Sequence, residues 1–287
     1  MRLFLFDIDG TLLIARGAGR AAFRQALERT YGTAGALDVY DLRGKTDPRI
    51  VWDVLTAAGV PGEAIEARLG DCFEAYVREL ETILGDGHVV ELMPGIRELV
   101  GKLSARPDAV VGLLTGNIEA GARLKLRPTG LLPHFRVGAY GSDHIDRRRL
   151  PPIARERAAR LVGRDIDGAR VTIIGDTPHD VDCARACGAV AVAVATGQYP
   201  PDELAACAPD FLFRDFSDVA YALAALTSCA GRRHTEPVSG HPDHRRGPRL
   251  PPPSLPQDRL RGRSPRSKGD QSHGHPPMGP VPRPPLQ

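Results

Sequence analysis

Short uninterrupted apolar runs recur along this chain, and each gives way to a polar or acidic cluster. Leu3-Phe4-Leu5-Phe6 leads into Asp7-Ile8-Asp9-Gly10-Thr11. Residues 109–114 lead into Thr115-Gly116-Asn117, 170–174 into Gly175-Asp176, and 189–194 into Thr196-Gly197. Apolar runs of this length, bounded by turn residues, predict buried strands. A weaker strand is predicted near 135–138 and an edge strand at 211–213. Between them, apolar residues recur at helical spacing. Ala22, Phe23, Ala26 and Leu27 share one face of a helix over 19–31. Further helices are predicted over 47–58, 64–84, 95–106, 118–126 and 152–162.

Strands separated by helices imply an α/β fold with a doubly wound parallel sheet. Residues 15–90 break the alternation, because helices follow one another there without a strand. They predict a small helical second domain inserted after the first strand. The expected division is therefore a core of 1–14 with 91–228, a helical cap of 15–90, and a tail of 231–287. A cap over the carboxyl ends of the strands can close on substrate and exclude water.

The chain has 287 residues with 38 Lys or Arg and 35 Asp or Glu. The small basic excess belongs to the tail, where eleven basic residues face four acidic ones; the remainder is mildly acidic. Fourteen of the 26 prolines also lie in the tail. Segments such as Pro251-Pro252-Pro253-Ser254 cannot bury enough surface to offset chain entropy, so 231–287 is expected to be disordered. No Phe, Trp or Tyr lies in it, which removes the stacking platform of single-strand binding and argues against nucleic acid. The five cysteines, Cys72, Cys183, Cys187, Cys207 and Cys229, are scattered without CxxC spacing. They predict reduced thiols and a cytoplasmic protein. No charged-then-apolar leader opens the sequence and no apolar run reaches membrane length, so no membrane partner is expected.

The polar clusters carry the chemistry. Asp7 and Asp9 end the first strand, where ligands bind in open α/β sheets. Two buried carboxylates need a partner, and a cation or a reacting phosphate would supply one. Together, Asp-x-Asp-Gly-Thr at Asp7, Thr-Gly-Asn at Thr115 and Gly-Asp-Thr-Pro-x-Asp at Gly175 resemble the haloacid dehalogenase superfamily of phosphohydrolases. The insertion point after the first strand is similar to that of phosphoglycolate phosphatase-like members with a helical cap. The resemblance covers about 1–225 and excludes the tail.

It implies an Mg²⁺-dependent phosphomonoester hydrolase of a small soluble phosphorylated metabolite. Asp7 would be the nucleophile, forming an aspartyl-phosphate, and also a metal ligand. Asp9, held protonated, would be the general acid and then the base, lending its backbone carbonyl to the metal. Asp176 would complete the protein ligands and Asp180 would support them; oxygen donors of this kind favour Mg²⁺. Gly10, Thr11, Thr115, Gly116 and Asn117 would bind the phosphate.

The family normally places a Lys ahead of the helix that precedes the Gly-Asp cluster. This chain has Arg147-Arg148-Arg149-Leu150-Pro151-Pro152 there. Arg147 is favoured for the phosphate-neutralising cation, with Arg149 and Lys125 as alternatives. Gly44-Lys45-Thr46-Asp47-Pro48 resembles a cap segment that faces the active site, and it also reads as an ordinary helix start. His179 is expected on the surface. Two other functions are compatible with the sequence: a phosphomutase of the same fold, and a non-catalytic binding protein that uses its basic tail.

Overall fold

A computed structural model describes residues 1–228; the tail expected at 231–287 and Cys229 lie outside the described residues. Its strands are β1 (Arg2–Phe6), β2 (Leu13–Ile14), β3 (Glu91–Leu92), β4 (Ala109–Leu114), β5 (Val137–Ala139), β6 (Val171–Gly175), β7 (Val190–Val194) and β8 (Phe211–Phe213). The helices are α1 (Ala18–Tyr31), α2 (Asp47–Ala57), α3 (Gly62–Gly85), α4 (Ile96–Ser104), α5 (Glu119–Leu126), α6 (Leu150–Val162), α7 (Pro178–Ala186), α8 (Pro201–Ala206) and α9 (Val219–Ser228).

Six strands form one parallel sheet in the order β5-β4-β1-β6-β7-β8. β1 is central, hydrogen-bonded to β4 on one side and β6 on the other, so Leu3–Phe6 is buried on both faces. That is why the run is continuously apolar and not alternating. Successive side chains still point to opposite faces. Phe4 and Phe6 join a core with residues of α1, α3 and α4, while Leu3 and Leu5 join a second core with residues of α6 and α7. Helices thus cover both faces, as the doubly wound reading requires.

Between β1 and α4 the chain makes α1, α2 and α3, with β2 and β3 pairing antiparallel at the two ends of this segment. Leu13 faces Leu92 and Ile14 faces Glu91, so the outgoing and returning chains cross side by side. Two residues in each strand give too little pattern to be read from sequence. α1 buries the expected Ala22, Phe23, Ala26 and Leu27 and stops at Gly32, whose left-handed φ of 75° lets its N–H bond to the Glu28 carbonyl. The α1 and α3 helices meet through Phe23 and Tyr76, whose rings stack at 4.1 Å. Among the described residues no helix is long and apolar enough to cross a membrane.

Candidate active site

The carboxyl ends of β1, β4 and β6 bring the three polar clusters to one edge of the sheet. A cavity of about 350 Å³ opens there, lined by Asp7, Asp9, Thr115, Asn117, Arg147 and Asp176 on the sheet side. Gly10 and Gly116 also line it, as do Lys45, Asp47 and Tyr76 from the helical segment.

Asp7, Asp176 and Asp180 are all buried, and one oxygen from each lies within 4.8 Å of the others. The cation that reaches this cluster is Arg147, whose Nη2 is 3.0 Å from Asp7 Oδ2 and 2.6 Å from Asp180 Oδ1. A short 3-10 turn at Arg147–Arg149 aims this side chain inward and leaves Arg149 exposed. Asp180 is further committed as the acceptor from Thr177 N and Oγ1, closing a capping box at the start of α7. Asp176 accepts from Thr11 Oγ1 at 2.8 Å.

Three carboxylates against one guanidinium leave an excess of negative charge out of water. Desolvation pushes Asp7 up to about 6; Arg147 opposes the shift, while Asp180 and Asp9 add to it. Burial, with Asp7 and Asp180 nearby, also holds Asp176 well above the ordinary carboxylate range. A divalent cation would relieve this strain. The donors are all hard oxygens, which suits Mg²⁺. The residues present therefore fit the metal expected from the sequence.

Glycines let the site close this tightly. Gly10 has φ +85°, and a Cβ there would lie 2.3 Å from Asp176 Oδ2. A Cβ at Gly197, in the loop after β7, would lie 1.8 Å from the same oxygen. Thr196 in that loop donates its hydroxyl to the Gly10 carbonyl at 2.6 Å. In the sequence Thr196-Gly197 marks only a strand end; the fold brings it to the site.

Asp9 stands apart from the metal cluster. Lys125 Nζ donates to both its oxygens, at 2.9 and 2.7 Å, and to Asn117 Oδ1 at 2.7 Å. Asn117 Nδ2 reaches Asp9 Oδ2 and Thr115 Oγ1, each at 2.8 Å. Desolvation raises the Asp9 carboxyl, but Lys125, Asn117 and Arg147 outweigh it and leave it below the ordinary range. The expectation of a protonated Asp9 is therefore corrected: without substrate it is ionised. The three candidate cations also part company. Arg147 faces Asp7, Lys125 faces Asp9, and Arg149 faces solvent.

The segment before α2 is a helix start and also borders the cavity. Thr46 caps α2, accepting from Arg49 N at 3.3 Å, while Gly44, Lys45 and Asp47 line the cavity. It also docks onto the loop after β4. Asp47 N donates to Gly116 O at 2.7 Å, Asp47 Oδ2 accepts from Ile118 N at 2.7 Å, and Thr46 Oγ1 donates to Ile145 O at 2.7 Å. Gly116 is required by this approach, since a Cβ there would lie 1.9 Å from Lys45 O. Lys45 Nζ sits 3.7 Å over the Tyr40 ring. His179 is half-buried against Gly44 and not on the surface, and burial lowers its pKa.

Burial raises Asp47 to about 7, with Lys125 and the Ile118 N–H opposing the shift. Its pKa in the folded protein stands above the unfolded one, so its favourable contribution is complete below pH 3.8 and is lost as pH rises through 7. This group should weaken the fold by roughly 2–3 kcal/mol between about pH 5 and about pH 8. Asp47→Asn keeps an acceptor for Ile118 and should flatten that slope in urea unfolding. An unchanged slope would show that Asp47 does not ionise in this range.

Two buried polar side-chain atoms have no hydrogen-bond partner among the described residues: Arg147 Nε and Tyr76 Oη. Each such atom costs on the order of 1–3 kcal/mol. Nothing in the sequence distinguished Tyr76 from an ordinary core aromatic.

The model of the haloacid dehalogenase-like hydrolase family matches residues 1–188. Phosphoglycolate phosphatase of Synechococcus elongatus is 28% identical over 235 residues, covering 79% of this chain and 99% of the relative. Pyrophosphatase PpaX of Bacillus pumilus is 23% identical over 224 residues, covering 75% and 93%. The crystal structure of a hydrolase from Pseudomonas syringae shares the fold, with a TM-score of 0.59 at 22% identity over 78% of this chain and 99% of that one. The sheet order, the three strand-end clusters and the family match over about two thirds of the sequence agree: this chain belongs to the haloacid dehalogenase-like hydrolases.

Proposed function

We propose that the protein is an Mg²⁺-dependent phosphomonoester hydrolase of a small phosphorylated metabolite, with Asp7 as nucleophile. The observation that carries this is the buried Asp7–Asp176–Asp180 cluster, held by the guanidinium of Arg147, with Asp7, Asp176 and Arg147 in the cavity wall. Asp7 and Asp176, with the backbone carbonyl of Asp9, would hold the metal, which neutralises phosphate oxygens when bound.

An oxygen of Asp7 attacks phosphorus, and the bond from phosphorus to the ester oxygen breaks, leaving an aspartyl-phosphate and an alkoxide. Asp9 passes a proton to that alkoxide. Since Lys125 and Asn117 hold Asp9 ionised beforehand, the proton arrives with the substrate monoanion, whose last pKa is about 6. Asp9 then takes a proton from the water that attacks the aspartyl-phosphate, releasing inorganic phosphate and restoring Asp7. The Thr115 hydroxyl, the loop amides and Arg147 bind the transferring group.

Residues 15–90 act as the cap in this reading. The hydrogen bonds of Thr46 and Asp47 to the sheet-side loops are the contacts that a movement of this cap would break and re-form. The phosphatase names of the curated relatives support the reading. Purified protein should hydrolyse p-nitrophenyl phosphate with Mg²⁺ and lose that activity in EDTA. Turnover that persists in EDTA would overturn it.

A further inference from the structure

We infer that the Tyr76 hydroxyl is a specificity-determining donor for the leaving-group end of the substrate, and that this end carries an acceptor oxygen near the ester. The inference rests on the phosphatase reading and adds a residue and a substrate feature to it. Tyr76 lies on α3, is fully buried, and forms part of the cavity wall. Its hydroxyl has no hydrogen-bond partner among the described residues. A phenylalanine would stack on Phe23 equally well without leaving a donor unmade, so the hydroxyl calls for a partner from outside the chain.

The surroundings are built to admit that hydroxyl and not to satisfy it. Glycines stand opposite it on two helices. A Cβ at Gly19 of α1 would lie 3.8 Å from Tyr76 Oη and 3.4 Å from Lys125 Nζ. A Cβ at Gly121 of α5 would lie 3.0 Å from the ring and 3.5 Å from Oη. Lys125 offers no acceptor, and its three N–H groups already go to the two oxygens of Asp9 and to Asn117. Asp9 is the group that gives its proton to the leaving oxygen. Tyr76 Oη and Lys125 Nζ both lie within 4 Å of the same point beside Gly19, so in the proposed mechanism the hydroxyl sits on the side of Asp9 and of the leaving alcohol. Burial keeps its phenol neutral, and a neutral phenol can donate.

An acceptor here is either a carboxylate or a hydroxyl, and a matched series separates them. Phosphoglycolate carries the first, 2-hydroxyethyl phosphate the second, and ethyl phosphate neither. The wild type should favour at least one acceptor-bearing ester over ethyl phosphate in kcat/KM. In Tyr76→Phe that ratio should fall at least tenfold, mainly through KM, while the melting temperature holds or rises. A ratio that the variant leaves unchanged would overturn the inference, as would an equal loss on all three esters. A wild type that hydrolyses p-nitrophenyl phosphate but does not prefer either acceptor-bearing ester would overturn the inference and keep the phosphatase reading. One that hydrolyses nothing would remove both.

Discussion

Asp7→Asn is expected to abolish phosphatase turnover and to raise the melting temperature of the metal-free protein. The amide is a poor nucleophile and a weak metal ligand, so the loss should be roughly 10⁴-fold or more, as for other enzymes stripped of a nucleophile. Stability moves the other way. Asp7 is raised from 3.8 to about 6, chiefly by burial, so its ionised form opposes folding at neutral pH. A carboxyl with a raised folded pKa contributes fully below 3.8 and loses that contribution as pH rises through about 6. Asparagine never ionises and avoids the loss. Arg147 keeps its 2.6 Å contact with Asp180 in the variant, so no charge is left alone. Calorimetry at about pH 7.5 in chelator should show the variant melting higher, and Mg²⁺ should stabilise it less than the wild type. A variant that is less stable than the wild type, or that keeps its turnover, would refute the account of Asp7. Such a trade of stability for function is common where catalysis needs buried, poorly compensated charge.

The sequence made the sheet legible because its central strands are buried on both faces. A run such as Leu3–Phe6 has no solvent side to dilute the signal, and neither have the runs of β4 and β6. The acidic and hydroxyl clusters were legible for the related reason that a strand end in a parallel sheet is where polar groups become useful. Helix bounds shifted by one or two residues, as end fraying leads one to expect. β5 shifted by a similar amount, from 135–138 to Val137–Ala139, because Phe135 closes a 3-10 turn instead of entering the sheet.

What escaped sequence reading are contacts between residues far apart in the chain. Lys125 is one of three candidate cations, and only the folded chain pairs it with Asp9, 116 residues away. Asp47 read as a helix start, and its second task as acceptor for Ile118 N depends on how the helical segment sits on the sheet. Tyr76 and the glycines that face it belong to three different helices. Gly197 and Gln198 enter the cavity wall because β7 lies next to β6, which sheet order alone decides.

The second large effect belongs to Arg147. Burial acts to lower the charge state of its guanidinium, but Asp180 and Asp7 more than offset this and hold it protonated. Arg147→Ala would leave Asp7 and Asp180 without their shared cation at almost no solvent exposure. Breaking a buried pair in this way costs about 3–5 kcal/mol, because the charge left behind is uncompensated. The cluster would answer by binding protons, so the pKa of Asp7 should climb further above 6. The variant should therefore melt well below the wild type in chelator and recover part of the difference in Mg²⁺. Its remaining turnover should have an acid limb displaced to higher pH. Arg147→Lys separates charge from shape. A single nitrogen, Nη2, makes both carboxylate contacts, and Nε has no hydrogen-bond partner among the described residues. An ammonium that reaches the same point would restore most of the stability and much of the activity. If Arg147→Lys proved as damaged as Arg147→Ala, the planar fork and not the charge would be what the site requires. If Arg147→Ala melted and turned over like the wild type, the neutralising cation would have to be sought elsewhere, and Lys125 is the next to remove.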